Sequence, residues 1–179
     1  MSKFDEMCEA YSTYRREYFE YEDECFKFAN KLIVGMVNYF GIPKEQLKLV
    51  PALEEPKPNT GYYLKGAMQR DDAYWHVGVE VILYARPNLR PFYPLLIHLR
   101  IRKDDGKFIV KIFKEDPGHR IDMNSDSELE EFYDFVLQAV KDDFRDELQQ
   151  LQEQRPVRRP RIGFPTPTRE ENPNGSVIA

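Results

Sequence analysis

The chain has few of the residues on which common catalytic and redox sites depend. Its 179 residues include two cysteines, three histidines, one tryptophan and nine glycines. Phosphate-binding loops need closely spaced glycines, and neither G-x-x-x-x-G-K-[ST] nor G-x-G-x-x-G occurs. G-x-S-x-G is missing too, and Glu80 is followed by Val81-Ile82 instead of the x-K of a nuclease strand. We therefore expect no cofactor, and we favour a protein that is not an enzyme.

The scarcity of cysteine indicates a reducing compartment. Cys8 and Cys25 fall on one predicted helix, where they would lie about 25 Å apart, too far for a disulfide. The sequence contains no C-x-x-C pair, the spacing that would indicate a zinc site. No apolar run approaches the roughly 18 residues of a membrane span, and the acidic start lacks the pattern of a secretory signal. We expect a soluble cytoplasmic protein without membrane contact.

The net charge of −5 is unevenly distributed. Residues 116–154 contain twelve acids and three Lys or Arg, whereas residues 62–115 contain ten Lys or Arg and six acids. A nucleic-acid-binding domain concentrates a large basic excess on one face, and the body of this chain does not. We interpret these charge runs as solvated faces.

Aromatic residues make up 13% of the chain, and many follow a heptad pattern in residues 1–40. The first row is Phe4, Tyr11, Tyr18, Cys25, Leu32 and Tyr39, and the second is Met7, Tyr14, Tyr21 and Phe28. This pattern predicts one long helix, which Gly41 ends. Residues 25–40 are apolar around most of the helix and should be buried. The first half should project, or pack on another helix.

The middle of the chain alternates between apolar and polar residues, which predicts a four-stranded antiparallel meander. The predicted strands are residues 62–69, 75–83, 95–102 and 107–114, with Asp105-Gly106 as a hairpin turn. Trp75, Ile97 and Val110 mark the apolar face. Residues 45–50 are either a helical turn or a strand, and residues 86–94 read as a proline-punctuated loop.

A second amphipathic helix is predicted over residues 125–154, starting at a Ser125 capping box. Residues 155–179 contain five prolines and no periodicity, which indicates a disordered tail. The prediction is thus a two-layer α+β domain over residues 1–154, with both helices on the apolar sheet face. In architecture this order resembles small acidic chaperone-like and immunity-type proteins.

The opposite face of the predicted sheet is the first candidate site. This polar sheet face gathers His76, Glu80, His98, Arg100, Arg102 and Lys111. Arg100 and Lys111 could hold a phosphate while a histidine acts as acid or base, as in a nucleotide-binding protein or an enzyme. Strand geometry alone also explains these charges as a solvated surface. A metal site of His76, His98 and His119 has no supporting spacing, so we predict no metal.

Protein binding is the leading hypothesis. A tyrosine stripe of Tyr11, Tyr14, Tyr18 and Tyr21 needs a cover, either the last helix as an antiparallel partner or the same helix of a second chain in a homodimer. The tail carries Arg155, Arg158, Arg159 and Arg161 among prolines, a peptide suited to an acidic partner or to nucleic-acid phosphates. A solubilising role would explain it equally well. We expect a non-enzymatic adaptor or chaperone-like regulatory protein, with ligand binding on the polar sheet face and weak nucleic-acid binding through the tail as alternatives.

Overall fold

The structure is a computed structural model that describes residues 2–55, 57, 60–86, 89–113 and 115–153. The predicted tail lies outside the described residues, and so do the four arginines assigned to it. The described part of the chain is α+β: a long first helix, an antiparallel sheet and a long last helix. The predicted fold class is confirmed.

The first helix, α1, spans Lys3–Phe40 and has both predicted end signals. The Ser2 hydroxyl accepts a hydrogen bond from the Asp5 backbone N–H at 3.1 Å, and the Asp5 carboxylate accepts one from the Ser2 backbone N–H at 2.7 Å. This capping box satisfies amide groups that have no partner within the helix. Gly41 ends the helix in the left-handed region, with φ of 64°, where glycine is favoured.

The sheet has six strands and not the four predicted. They are β1 (Leu47–Val50), β2 (Gln69–Arg70), β3 (Trp75–Arg86), β4 (Leu89–Asp104), β5 (Lys107–Lys111) and β6 (His119–Ile121). Strand order is β1-β3-β4-β5-β6, every pairing is antiparallel, and β2 pairs with the start of β3. The central strands form the expected meander, with Arg100 opposite Lys111 as the hairpin turn predicts.

The first predicted strand, residues 62–69, is wrong. A short helix, α2, occupies Leu64–Ala67, and β2 begins only at Gln69. Leu64, Ala67 and Met68 pack into the core, and their spacing of three and four residues is helical. For residues 45–50 the sequence predicts either a helical turn or a strand. The structure has both, a 3₁₀ turn at Lys44–Gln46 followed by β1.

The predicted loop of residues 86–94 is also wrong, because most of it belongs to β4. Tyr93 pairs with Leu83, and Pro94 pairs with Ile82. Among the described strands, β5 pairs only with residues 100–104 of β4, so Pro91 and Pro94 lie where β4 has a single neighbour. Proline is tolerated at such positions because it interrupts no second ladder.

Both long helices pack on the apolar sheet face, as predicted. Phe28 of α1 stacks on Phe108 of β5 with ring centroids 4.0 Å apart, and Phe26 contacts Trp75 at 5.6 Å. The last helix, α3 (Asp126–Gln152), contributes Leu129, Phe132, Tyr133 and Val136 to the same core. None of the described helices has both the length and the hydrophobicity needed to cross a bilayer.

The two helices run in the same direction. Lys31 of α1 pairs with Asp126 of α3 at 3.3 Å, and Tyr39 donates to Asp134 at 2.8 Å. Residue numbers thus rise together along the contact. The first half of α1 therefore extends beyond the start of α3. The alternative in which α3 covers the tyrosine stripe as an antiparallel partner is wrong.

Candidate functional site

The first half of α1 presents large apolar side chains to solvent. Phe4 is 71% exposed, Met7 70%, Tyr11 61% and Tyr14 60%. Their spacing places all four on one side of the helix. We call these four residues the α1 stripe.

The predicted tyrosine stripe is divided by the edge of the sheet. Tyr18 and Tyr21 are half-buried: the Arg70 guanidinium lies 5.4 Å from the Tyr18 ring, and the Tyr21 hydroxyl accepts a hydrogen bond from the Lys103 backbone N–H at 3.2 Å. Tyr11 and Tyr14 stay outside. The α1 stripe thus ends where contact with the sheet begins, at Tyr18.

The polar sheet face contains a chain of three hydrogen-bonded side chains. Asp72 Oδ1 lies 3.0 Å from His76 Nε2, and His76 Nδ1 lies 2.9 Å from His98 Nε2. A carboxylate only accepts, so His76 Nε2 is the donor to Asp72. In neutral His76 the Nδ1 atom is then an acceptor for the His98 Nε2 proton. Asp72 thereby fixes the tautomers of both rings.

Two groups of this hydrogen-bonded chain, His98 and Asp72, have shifted pKa values. His76 is buried and His98 is half-buried. Burial, together with His76 and Arg100 nearby, lowers the pKa of His98 to about 4. Burial raises the pKa of Asp72, but hydrogen bonds from His76 and from the Tyr74 backbone outweigh it, so that the pKa lies below its ordinary value. At neutral pH the site therefore holds a neutral His98 beside an ionised Asp72.

Three cations lie on the same sheet face as the histidines. Arg100 lies opposite His76 in the sheet and donates to the Phe113 carbonyl. Arg102 and Lys111 lie over the Tyr74 ring, 5.2 and 5.7 Å from its centroid. Within the described residues none of the three forms an ion pair, and Arg102 Nε is buried without a hydrogen-bond partner. The local charge favours an anion.

The structure brings His76, His98, Arg100 and Lys111 together, but Glu80 lies elsewhere. It is four residues further along β3, about 13 Å from His76, and it faces Lys48 of β1 at 3.8 Å. Asp72 supplies the carboxylate instead. Sequence reasoning missed Asp72 and Tyr74, whose only signal is the run Asp71-Asp72-Ala73-Tyr74 before a strand, a composition typical of a side-chain-stabilised turn.

His119 lies apart from the other two histidines. It lies on β6, pairs with Val110 of β5, and packs against Phe132 and Phe135 of α3, on the helix side of the sheet. In the part of the chain that the structure describes, no three His, Cys, Asp or Glu side chains are arranged to hold a metal ion.

A shallow groove of about 650 Å³ runs between α1 and α3. Its lining includes Asn30, Lys31, Asn38 and Glu130, and its floor includes Gly35 and Tyr133. The Lys31–Asp126 ion pair lies at one end. The lining mixes both charges and offers no group of convergent cations or rings, so it favours no single ligand chemistry.

Comparison of the chain with protein-family models, with curated proteins and with solved structures gives no match.

Proposed function

We propose that this protein works by binding another protein chain through the α1 stripe, as a non-enzymatic adaptor or chaperone-like regulator. The observation that supports the proposal is the exposure of Phe4, Met7, Tyr11 and Tyr14, each at least 60%, on a helix that extends past the sheet. Scattered surface rings are ordinary, but a contiguous apolar stripe is typical of an interaction surface.

The composition of the helix also supports protein binding through the α1 stripe. Tyrosine tolerates solvent in the free protein and supplies a large apolar ring in a complex. The opposite side of this helix segment carries Glu9 and Arg16, both exposed, which keep the free helix solvated. Rings at spacings of three and four residues along one helix suit a groove or a second helix as the partner surface.

The arginines of residues 155–161 are the proposed second contact. Arg155, Arg158, Arg159 and Arg161 lie around two prolines in the sequence, and arginine forms bidentate hydrogen bonds with carboxylates. An acidic patch on the partner is the matching chemistry. Deletion of residues 155–179 should weaken binding without abolishing it, because the α1 stripe supplies the apolar contact.

A photo-crosslinking residue at single positions of α1 tests the proposal in cells. With p-benzoylphenylalanine at Tyr14 we expect a protein adduct, which mass spectrometry identifies. The matched control places the same residue at Arg16, on the opposite side of the same turn, where we expect none. Equal crosslinking at both positions, or none at either, contradicts the proposal.

The second candidate function is binding of a small anionic ligand on the polar sheet face. It is supported by the three cations without ion pairs beside a neutral histidine. Inorganic phosphate titrated against the protein should shift the NMR signals of the His98 and Lys111 side chains with saturation. Lys111→Ala should abolish the shifts, and Lys48→Ala, at the far edge of the sheet, should leave them. Shifts that stay linear with phosphate, or persist in Lys111→Ala, count against this candidate.

A further inference from the structure

We propose that the occupant of the α1 stripe is a second copy of this chain, whose α1 crosses the first one antiparallel in a single register. Phe4 then lies opposite the partner's Tyr14, and Met7 lies opposite the partner's Tyr11. This inference rests on the proposed function, because it names the partner of the same surface.

The length of the free helix selects the register. In an antiparallel helix pair the two heptad rows face each other, so that the numbers of facing residues have a constant sum. When this sum is 18, all four residues of the α1 stripe lie opposite the partner's four. Ser2, the N-cap, then reaches the level of the partner's Arg16, just short of the partner's Tyr18, where contact with the sheet begins.

The neighbouring registers fail for steric or energetic reasons. A shift of seven residues towards greater overlap places Phe4 against the partner's Tyr21, whose hydroxyl is already bonded to the Lys103 backbone. A shift of seven in the other direction leaves Tyr11 and Tyr14 exposed. The free segment thus accommodates one register that covers the whole stripe.

Charges beside the stripe favour the antiparallel direction. In the proposed register Lys3 lies beside the partner's Glu17, and Arg15 lies across from the partner's first helical turn, which carries Asp5. In a parallel, in-register pair, Glu17 lies beside the partner's Glu22, because flanking positions five residues apart then meet. Opposite charges meet in the first arrangement and like charges in the second.

The area available predicts a weak dimer. Four large side chains, each exposed by 60 to 71%, bury about 500 Å² per chain if their full areas are about 200 Å². The total of about 1,000 Å² lies at the low end of specific interfaces. We expect a dissociation constant on the order of micromolar.

Sedimentation velocity of the full chain over a range of concentrations tests the dimer. Wild type should pass from monomer to dimer around micromolar concentration. Tyr11→Ser with Tyr14→Ser should stay monomeric at tenfold higher concentration, and the control Glu9→Ser with Arg16→Ser, on the opposite side of the helix, should dimerise normally. Glu17→Lys should weaken the dimer several-fold, and adding Lys3→Glu should restore it. A wild-type chain that stays monomeric overturns the inference.

Cysteine crosslinking tests the direction. Cys25 is buried and Cys8 is exposed, and in the proposed register Cys8 lies next to the partner's Cys8 across the twofold axis. A short bis-maleimide should therefore link wild type into covalent dimers. Cys8→Ser with Glu17→Cys should not crosslink, because the two introduced thiols lie about 20 Å apart along the helices. Adding Lys3→Cys to that variant should restore crosslinking. Crosslinking through Glu17→Cys alone overturns the antiparallel arrangement.

The two proposals fail separately. A monomeric chain whose Tyr14 photo-adduct contains a different protein contradicts the second-copy occupant and supports protein binding. A monomeric chain with no adduct at Tyr14 contradicts both.

Discussion

His76 Nδ1 and His98 Nε2 lie 2.9 Å apart across neighbouring antiparallel strands. The two residues are diagonal in the register, because His76 faces Arg100 and His98 faces Gly78. Asp72 holds the other side of the His76 ring at 3.0 Å, and the three groups form one polar unit with the buried His76 at its centre.

This unit makes stability depend on pH. The pKa of His98 falls from its ordinary 6.5 to about 4 in the folded chain, so as the pH drops the unfolded state takes up the proton first. The stabilisation is therefore complete above pH 6.5 and is lost as the pH falls towards 4. We expect a loss on the order of 3 kcal/mol in the free energy of unfolding, measured by urea denaturation across this range.

The variant His98→Asn identifies the responsible group. It should be less stable than wild type at pH 7, and its stability should fall less steeply between pH 6.5 and 4. The informative quantity is the slope of stability against pH, because any loss of packing lowers the stability at pH 6.5 and at pH 4 by the same amount. An unchanged slope would assign the acid sensitivity to other groups.

Gly35 lets Tyr133 approach the backbone of α1. The Tyr133 hydroxyl donates to the Leu32 carbonyl at 3.2 Å, and a Cβ at position 35 would overlap that hydroxyl. Alanine normally favours a helix over glycine by about 1 kcal/mol. Here we expect Gly35→Ala to lower the free energy of unfolding by about 1–3 kcal/mol, since overpacking outweighs propensity.

Chemical denaturation of four proteins checks the cause: wild type, Gly35→Ala, Tyr133→Phe and the double variant. In the Tyr133→Phe background the alanine should be clearly less harmful, because the overlapping hydroxyl is gone. Equal effects in both backgrounds would place the strain elsewhere.

Much of this fold is predictable because its periodic signals are long. The heptad rows of α1 continue over ten positions, and β3 and β4 alternate over enough residues to show their buried face. Strand β6 has three residues, too few for any period to appear. The loop reading of residues 86–94 failed because Pro91 and Pro94 signal a break only where both sides of a strand are paired.

The candidate sites were predictable only in part, because tertiary contacts decide them. Tyr14 and Tyr18 occupy consecutive stripe positions and are the same residue type, yet only Tyr18 contacts the sheet. Asp72 lies in a bend before β3, and its bond to His76 follows from the turn conformation and not from any residue spacing. Glu80 alternates correctly for the polar sheet face but lies too far along β3 to join the histidines.

Asp116 should be essential to the connection between β5 and β6. It is 1% exposed, and its two carboxylate oxygens accept from the Ile112 and Gly118 backbone N–H groups at 2.9 and 2.8 Å. Asp116→Ala leaves both donors without a partner, which should cost about 2–4 kcal/mol. Asp116→Asn retains one acceptor and should cost about half as much.

Hydrogen exchange of individual backbone amides tests whether the Asp116 carboxylate protects the amides to which it is bonded. The Ile112 amide should exchange faster in both Asp116 variants, and more so in the alanine variant. Glu115→Ala, an exposed neighbour, should change stability by less than about 0.5 kcal/mol. Equal stability of the alanine and asparagine variants would contradict the two-acceptor explanation.

Truncation of two aromatic residues of the same helix should affect the free energy of unfolding very differently. Phe28 is fully buried against Phe108, so Phe28→Ala should lower the free energy of unfolding by about 3–5 kcal/mol. Tyr14 is 60% exposed, so Tyr14→Ser should leave the stability of the monomer within about 0.5 kcal/mol of wild type, measured below micromolar concentration. Such a result means that Tyr14 contributes little to the fold, and that its ring is available to a partner. A loss comparable to that of Phe28→Ala would mean that Tyr14 is buried within its own chain, and the α1 stripe would not be a binding surface.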